Sequence, residues 1–453
     1  MTAEQRNHML LCDPVSSVIP KMAVPTIISM LITNIYNMAD TFFVSQLGTS
    51  ASGAVGVIFS AMSIIQAIAF MFGMGSGTNV SHLLGMGKRK EAEVYSAVGF
   101  FSAVAAGVLI AVLGNVFNEP LMRLLGATET AMPYALDYAR YIFLAAPFMM
   151  GSLSMNNLLR FQGLATYGMV GIISGGLLNM LLDPLLIFVF DMGIAGASIA
   201  TAISQLTSFV ILLVMCSTHA DAITIHPRNY RPTRQMYAKI LNNGLPSLGR
   251  QGIMSVSTSL LNNAAAVYGD PAIAAFAIVS RCLNFVNSTV VGFGQGFQPV
   301  CGFNYGARKY DRMHRAFSFS VKVTTIVLLV LGAAGFAFAE PVVTLFRRSD
   351  PEVIRIGTET FRVQILTVWA WGFITLSNMY TQAIGYGIRS TILAAARQGL
   401  FLIPTLLVLP NVWGLRGLEV CQPLADVLTL ALAVWMMTKV IRAQKAQMAQ
   451  ETA

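Results

Sequence analysis

Two stretches decide the architecture: "GMGSGTNVSHLLGMGKRK" at 73–90 and "GFGQGFQPVCGFNYGARK" at 292–309. Gly73, Gly75, Gly77 and Gly87 precede Gly292, Gly294, Gly296 and Gly306 by a constant interval of 219 residues. Arg89 and Lys90 precede Arg308 and Lys309 by the same interval. Elsewhere the interval is 221, pairing Pro25 with Pro246, Asn157 with Asn378, Gly193 with Gly414 and Gly196 with Gly417. A chain that repeats itself at half its length is a duplicated unit. Both glycine stretches end an apolar run and lead into a basic segment. No strand precedes them and no βαβ unit follows, so G-x-G-x-G is not read as a nucleotide loop. The glycines instead let helices approach closely and the chain turn sharply.

Composition says what surrounds those helices. Of 453 residues, 55% are hydrophobic and only 11% charged, with a mean hydropathy of +0.65. A soluble protein carries about 25% charged residues. Apolar runs of roughly 20 residues, enough to cross a bilayer, recur along the whole chain. The reading is an all-α polytopic membrane protein with no separate soluble domain. Its twelve expected spans lie at about 23–47, 51–77, 94–116, 133–157, 164–190, 194–217, 238–267, 271–297, 315–338, 353–383, 390–410 and 416–441. The opening "MTAEQRNHMLLCDP" lacks the basic start and apolar core of a cleavable signal, so the first span is expected to direct insertion.

The net charge of +9 is patterned by loop. Basic residues gather in alternate connections: "GKRK" at 87–90, Arg160, "HPRNYRPTR" at 226–234, "GARKYDRMHR" at 306–315, Arg389, and Lys439, Arg442 and Lys445. The intervening loops hold few, namely Arg123, Arg347, Arg348 and Arg416. Positive charge marks the cytoplasmic side, which places both termini in the cytoplasm. The charge therefore reflects topology and implies no nucleic acid. Cys12, Cys216, Cys282, Cys301 and Cys421 are scattered without C-x-x-C spacing, so neither disulfides nor a zinc site is expected.

Six spans per half means that both halves enter from the same side. They are parallel repeats about an axis along the membrane normal. The expected divisions are an N-terminal lobe at 1–217, a basic cytoplasmic linker at 218–237, and a C-terminal lobe with its tail at 238–453. Two pseudo-symmetric six-helix lobes form a V whose cleft can open to either side, the arrangement of an alternating-access carrier. No nucleophile, metal set or acid–base cluster sits at a membrane face, so an enzyme is not expected and no cofactor is called for.

Charge at membrane depth is costly and marks function. Asp40, Asp183 and Asp426 lie within spans, with Glu419 near an end. Thr33, Tyr36, Asn37 and Asp40 recur at helical spacing on one face, as do Asn179 and Asp183 below Gly176. Ser198, Thr201, Gln205 and Ser208 make a third polar stripe, in which Ser198 and Gln205 read as helix contacts. All three stripes lie in the first half. Two carboxylates with amide and hydroxyl oxygens suit a proton or a small monovalent cation such as Na⁺, and no other metal. Withdrawn from water and near each other, they would share a proton rather than both ionise. The second half does not repeat them, since the positions 221 later are Leu261 and Pro404. Arg281 sits mid-span and either pairs with Asp426 or faces the cleft. Pro25 can bend the first span and carry a change at Asp40 to the cleft.

These features resemble the multidrug and toxic compound extrusion (MATE) family over essentially the whole chain. The resemblance rests on "NIYNMADTFFVSQLG" at 34–48, both glycine stretches, "LLNMLLDPLLIF" at 177–188, "GIAGASIAT" at 193–201 and "GLPSLGRQG" at 244–252. The last, with "RQGLFLIPTLLVLP" at 397–410, looks like the bacterial MepA/DinF-like branch. The resemblance implies a monomeric drug/cation antiporter of the bacterial inner membrane. It would expel bulky, often cationic and aromatic compounds in exchange for Na⁺ or H⁺. It places the cation site at Asp40, Asn179, Asp183 and Thr201, with Tyr36 and Asn157 as neighbours, and Asn37 joins them as a pocket candidate from its place on the Asp40 stripe. The alternative within the superfamily is a flippase for lipid-linked saccharides, whose cleft would be rich in arginines.

Overall fold

The computed structural model describes residues 2–218, 222–347 and 350–452. Arg348 and residues 219–221 of the expected linker lie outside them. The described elements are helical throughout. In chain order they are α1 (Ala3–Leu11), α2 (Val15–Ser45), α3 (Thr49–Gly85), α4 (Arg89–Val116), α5 (Asn118–Leu124) and α6 (Met132–Phe161). Then come α7 (Ala165–Pro184), α8 (Gly193–Thr218), α9 (Arg234–Ala266), α10 (Asp270–Gly306), α11 (Tyr310–Ala337) and α12 (Ala339–Phe346). The chain closes with α13 (Pro351–Ile365), α14 (Val368–Ala383), α15 (Gly387–Ala395), α16 (Leu402–Trp413) and α17 (Leu415–Thr452). The protein is a polytopic helical membrane protein built as two six-helix lobes. Ten crossings are long and apolar enough to span a bilayer on that ground alone. The other two are α9, which carries Asn242, Asn243, Arg250 and Gln251, and the pair α13–α14, interrupted at residues 366–367. Both complete the C-terminal lobe, α9 against α15 and α13 against α10.

Prolines shape the crossings without ending them. Helix α2 runs unbroken through Pro20 and Pro25. The fifth crossing of each lobe contains a π-helical turn, Leu185–Val189 directly after Pro184 and Ala396–Leu400 just before Pro404. Proline removes a backbone donor, and a π turn re-registers the ladder around such a defect.

The apolar cores explain the V. One core spans both lobes, joining Leu10, Val80 and Leu158 to Phe297, Phe303 and Tyr380. Beyond it the cores separate. Val44, Ile58, Tyr138 and Ile187 pack within the first lobe, and Ala265, Phe276, Val353 and Leu418 within the second. The shared core occupies the end where the basic connections begin, and the separate cores occupy the other.

The glycine stretches are what let the lobes meet. A Cβ on Gly75 would lie 2.1 Å from the Ile240 carbonyl oxygen, and one on Gly244 would lie 2.0 Å from that of Met71. Gly292 and Gly296 receive the backbone of Ile27 and Ala23, and Gly306 that of His82. Only glycine permits backbones this close, and dispersion between such helices drives their association in lipid. Farther along the same helices the approach ends: Gly53, Gly56 and Gly252 have nothing within 4 Å of where a Cβ would be. Asn34 donating to Ser288 at 2.6 Å is a polar bridge between α2 and α10 toward that open region.

Two readings of the basic residues are corrected. Arg160 is not a loop residue; it lies in the last turn of α6, 2% exposed, and donates to Gln295 of the opposite lobe and to Asn157. Arg281 does not pair with Asp426, whose cationic partner is Arg397 at 2.8 Å.

Candidate functional site

Helix α2 brings its polar stripe to the first lobe's inner face. Thr33 bonds back to the Ser29 carbonyl at 2.8 Å, which satisfies its hydroxyl within the helix. Tyr36 and Asn37 face a large central cavity, and the Tyr36 ring fills the notch left by Gly176 on α7. Asp40 does not join that wall. It is 8% exposed and turns toward α6, where the Tyr138 hydroxyl donates to its Oδ2 at 3.3 Å.

Helices α7 and α8 supply the rest. Asp183 is fully buried, and its Oδ1 accepts from Asn179 Nδ2 at 3.1 Å, one turn earlier. The same amide reaches Thr201 Oγ1 at 3.3 Å, tying α7 to α8. Helix α2 packs on α7, and α6 packs on both α7 and α8, so Tyr138 and the two carboxylates share one helical interior. The structure thus brings Asp40, Asn179, Asp183 and Thr201 together around a tyrosine that sequence periodicity did not single out.

The donors here are neutral: a phenol and an amide. Asp40 Oδ1 and Asp183 Oδ2 are buried with no hydrogen-bond partner. A buried carboxylate oxygen left unpaired is costly, so each of these two oxygens favours a further donor, a proton or a cation. Asn179 and Thr201 belong both to this set and to the cavity wall. They are the side chains shared by the carboxylate set and the cavity wall.

Other expected residues fall elsewhere. Asn157 is buried and accepts from Arg160 at 2.6 Å, away from the paired carboxylates. Ser198 bonds within its own helix to Ala195 at 2.9 Å. Asp426 is fully buried and accepts four bonds: from Arg397 at 2.8 Å, Gln422 at 3.0 Å, Thr367 at 2.9 Å and the Trp371 indole at 2.6 Å. Its acceptors are filled, so it orients Arg397, whose guanidinium stacks 3.9 Å from the Trp371 ring, rather than meeting a ligand itself. Arg281 faces the cavity.

The cavity has a volume of about 1300 Å³ and lies between the lobes, with Thr33 and Gln205 from one side and Met254, Phe285 and Trp371 from the other. That exceeds the roughly 300–1000 Å³ of ordinary small-molecule sites.

Known proteins share this architecture. A family model described as MatE matches residues 25–185 and again 246–407, two segments whose starts are 221 residues apart, the interval of the sequence repeat. The multidrug export protein MepA of Staphylococcus aureus (strain MSSA476) is 26% identical over 406 residues, covering 89% of each chain. A solved MATE structure in complex with MaL6 superposes with a TM-score of 0.92 at 26% identity, covering 97% of this chain and 99% of that one. The outward-facing conformation of a multidrug resistance MATE transporter does so with a TM-score of 0.92 at 25% identity, covering 97% and 98%.

Proposed function

Because the chain belongs to the MATE family, whose pattern it carries twice, we propose that it exports bulky hydrophobic compounds by antiport with H⁺ or Na⁺. Asp40, Asn179, Asp183 and Thr201 are the coupling residues, and the exporter works as a monomer. It sits in a bacterial cytoplasmic membrane with both termini in the cytoplasm, the side toward which "GKRK" and "GARK" point. The division at 1–217, 218–237 and 238–453 is part of the same reading: two lobes that rock, and a linker that lets them.

The observation that carries the proposal is the pair of buried carboxylates with one unpartnered oxygen each. Without an ion, two nearby carboxylates repel in a medium that screens poorly. A proton between them, or Na⁺ on the free oxygens with Asn179 and Thr201, removes that repulsion. Loading then changes what Asn179 and Thr201 present to the cavity, so ion and cargo are linked through shared side chains. A ligand shifts a conformational equilibrium only through different affinities for its two states. Tyr36 and Asn37, on the cavity side of the Asp40 helix, carry the difference.

Pro25 is the hinge in this account. It lies between Ala23 and Ile27, whose backbones rest on Gly296 and Gly292 of the other lobe. A bend there would lift α2 from the seal between lobes.

The bulk and apolar character of the cargo have counterparts in a wide cavity walled by Met30, Met254, Phe285 and Trp371. The cationic character expected of such cargo has none on the wall, where the charged side chains are arginines. The test is purified protein in liposomes loaded with a hydrophobic dye. Efflux under an imposed ΔpH or Na⁺ gradient supports the proposal, and no flux under either gradient refutes it.

A further inference from the structure

The charge on the cavity wall has one sign. Among the described residues it consists of Arg160, Arg250, Arg281 and Arg397, with no Asp or Glu. Arg397 is neutralised by Asp426. The others are not. Arg160 is 2% exposed and rests on the neutral oxygens of Gln295 and Asn157, with its Nε left without a partner. Arg250 and Arg281 form no ion pair among the described residues.

Helix α10 serves as a ruler for their depth. Arg281 lies on it, Arg397 touches it at Asn287 at 3.4 Å, and Arg160 touches it at Gln295. At 1.5 Å per residue these levels are about 9 Å and 12 Å apart. The guanidiniums therefore step from the mouth of the cavity to its floor. Toward the floor, Arg160 of the first lobe and Arg250 of the second both line the cavity. Arg250 is one turn beyond Ser247, which touches Met74 across the seal at 3.0 Å.

Two guanidiniums without a counter-ion, lining one cavity at membrane depth, each carry a desolvation cost, and their like charges oppose one another. An anion between them relieves both and takes the planar, multiple N–H bonds that arginine offers to carboxylate and phosphate. The stacked Arg397–Trp371 plane and Phe285 give a flat surface for a ring system above that floor. The paired carboxylates that would favour a cation are buried behind the wall, at Asp40 and Asp183. We infer that the cavity selects amphiphilic organic anions, an apolar aromatic body bearing one carboxylate or phosphate, with the anion seated between Arg160 and Arg250. Because the two arginines come from opposite lobes, the seated anion also bridges the seal. The inference rests on the reading of this cavity as the cargo site.

The test is equilibrium binding to the intact protein in a neutral maltoside detergent, with three probes of one body: 1-pyrenebutyrate, 1-pyrenebutanol and 4-(1-pyrenyl)butylammonium. The butyrate is expected to bind about tenfold more tightly than the ammonium, the worth of one charge-assisted hydrogen bond. Arg250→Gln should bring the two within about threefold, and Arg250→Lys should keep most of the preference. Arg250 is half-buried, so Arg250→Gln spares the buried Arg160, and a melting curve checks that the variant is folded. An ammonium that binds as tightly as the butyrate, or a preference unchanged in Arg250→Gln, overturns the inference. So does a clear preference for pyrene-labelled phosphatidic acid over the butyrate, which would assign the arginines to a lipid headgroup. Binding needs no ion gradient, so a failure of coupled efflux would leave this result standing. Equally, loss of the anion preference would leave gradient-driven dye efflux standing.

Discussion

Substitution of Gly75 by alanine should pry the lobes apart at the end where they now touch. The added Cβ would sit 2.1 Å from the Ile240 carbonyl oxygen, whereas ordinary contact begins at 3.4 Å. The obstacle is backbone on α9, which cannot rotate away, so α3 and α9 must separate by more than 1 Å. Overpacking of this kind costs about 1–3 kcal/mol. Loaded onto one conformation only, that shifts the balance between the two states roughly 5- to 150-fold. The direction is toward the state in which the seal is open. The assay is electron–electron distance measurement between spin labels at Lys90 and Asp311, exposed at the sealed ends of α4 and α11, with Cys12 replaced by serine. Gly75→Ala should lengthen the main distance or populate a longer one. Gly53→Ala, on the same helix but with nothing within 4 Å, should leave it unchanged. An unaltered distance distribution in folded Gly75→Ala would refute the claim that these glycines form the seal.

Three further outcomes follow. Removing one partner of the buried Arg397–Asp426 pair leaves an uncompensated charge, so Asp426→Ala should lower stability by about 3–5 kcal/mol in a thermal melt. Replacing the partner guanidinium at the same time, as Arg397→Met in that background, should recover part of the loss. Tyr138→Phe removes the hydroxyl that donates to Asp40 at 3.3 Å. It should shift the proton or Na⁺ concentration giving half-maximal efflux by about two- to tenfold while the protein stays folded, since a bond as long as this is worth about 0.5–1.5 kcal/mol. Pro25→Ala restores a backbone donor at the proposed hinge and should slow turnover severalfold in the liposome assay, whereas full-rate transport would remove Pro25 from the mechanism.

Much of this architecture can be read from residues alone, because duplication and hydropathy are periodic. The interval from Gly73 to Gly292 announces two lobes, and the structure sets Gly75, Gly292, Gly296 and Gly306 of those stretches at the interface between them. Asp40 and Asp183 are legible because a carboxylate in an apolar run is expensive, while their grouping with Asn179 and Thr201 is what the family resemblance implies. Tyr138 is not legible in this way: a tyrosine near the start of an apolar helix costs little, and its hydroxyl gains meaning only when α6 lies against α2. Arg160 and Arg397 are hidden for a related reason. Arg160 follows the end of its apolar run, where a cation reads as a loop residue, and Arg397 lies inside the 390–410 span, where nothing local names its partner. The tertiary structure draws both inward, Arg160 onto Gln295 and Arg397 onto Asp426. The choice left open for Arg281 also depended on a partner that only packing reveals.

The central claim is that the paired carboxylates in the first lobe convert an ion gradient into export. Its most direct measurement compares gradient-driven accumulation with simple exchange of the same hydrophobic cargo in proteoliposomes, for the native protein, Asp40→Asn and Asp183→Asn. The native protein should accumulate cargo against its own gradient when ΔpH or a Na⁺ gradient is imposed. Each variant should lose that accumulation while still binding cargo, because the cavity wall does not include either carboxylate. Accumulation by both variants at the native rate would contradict the account.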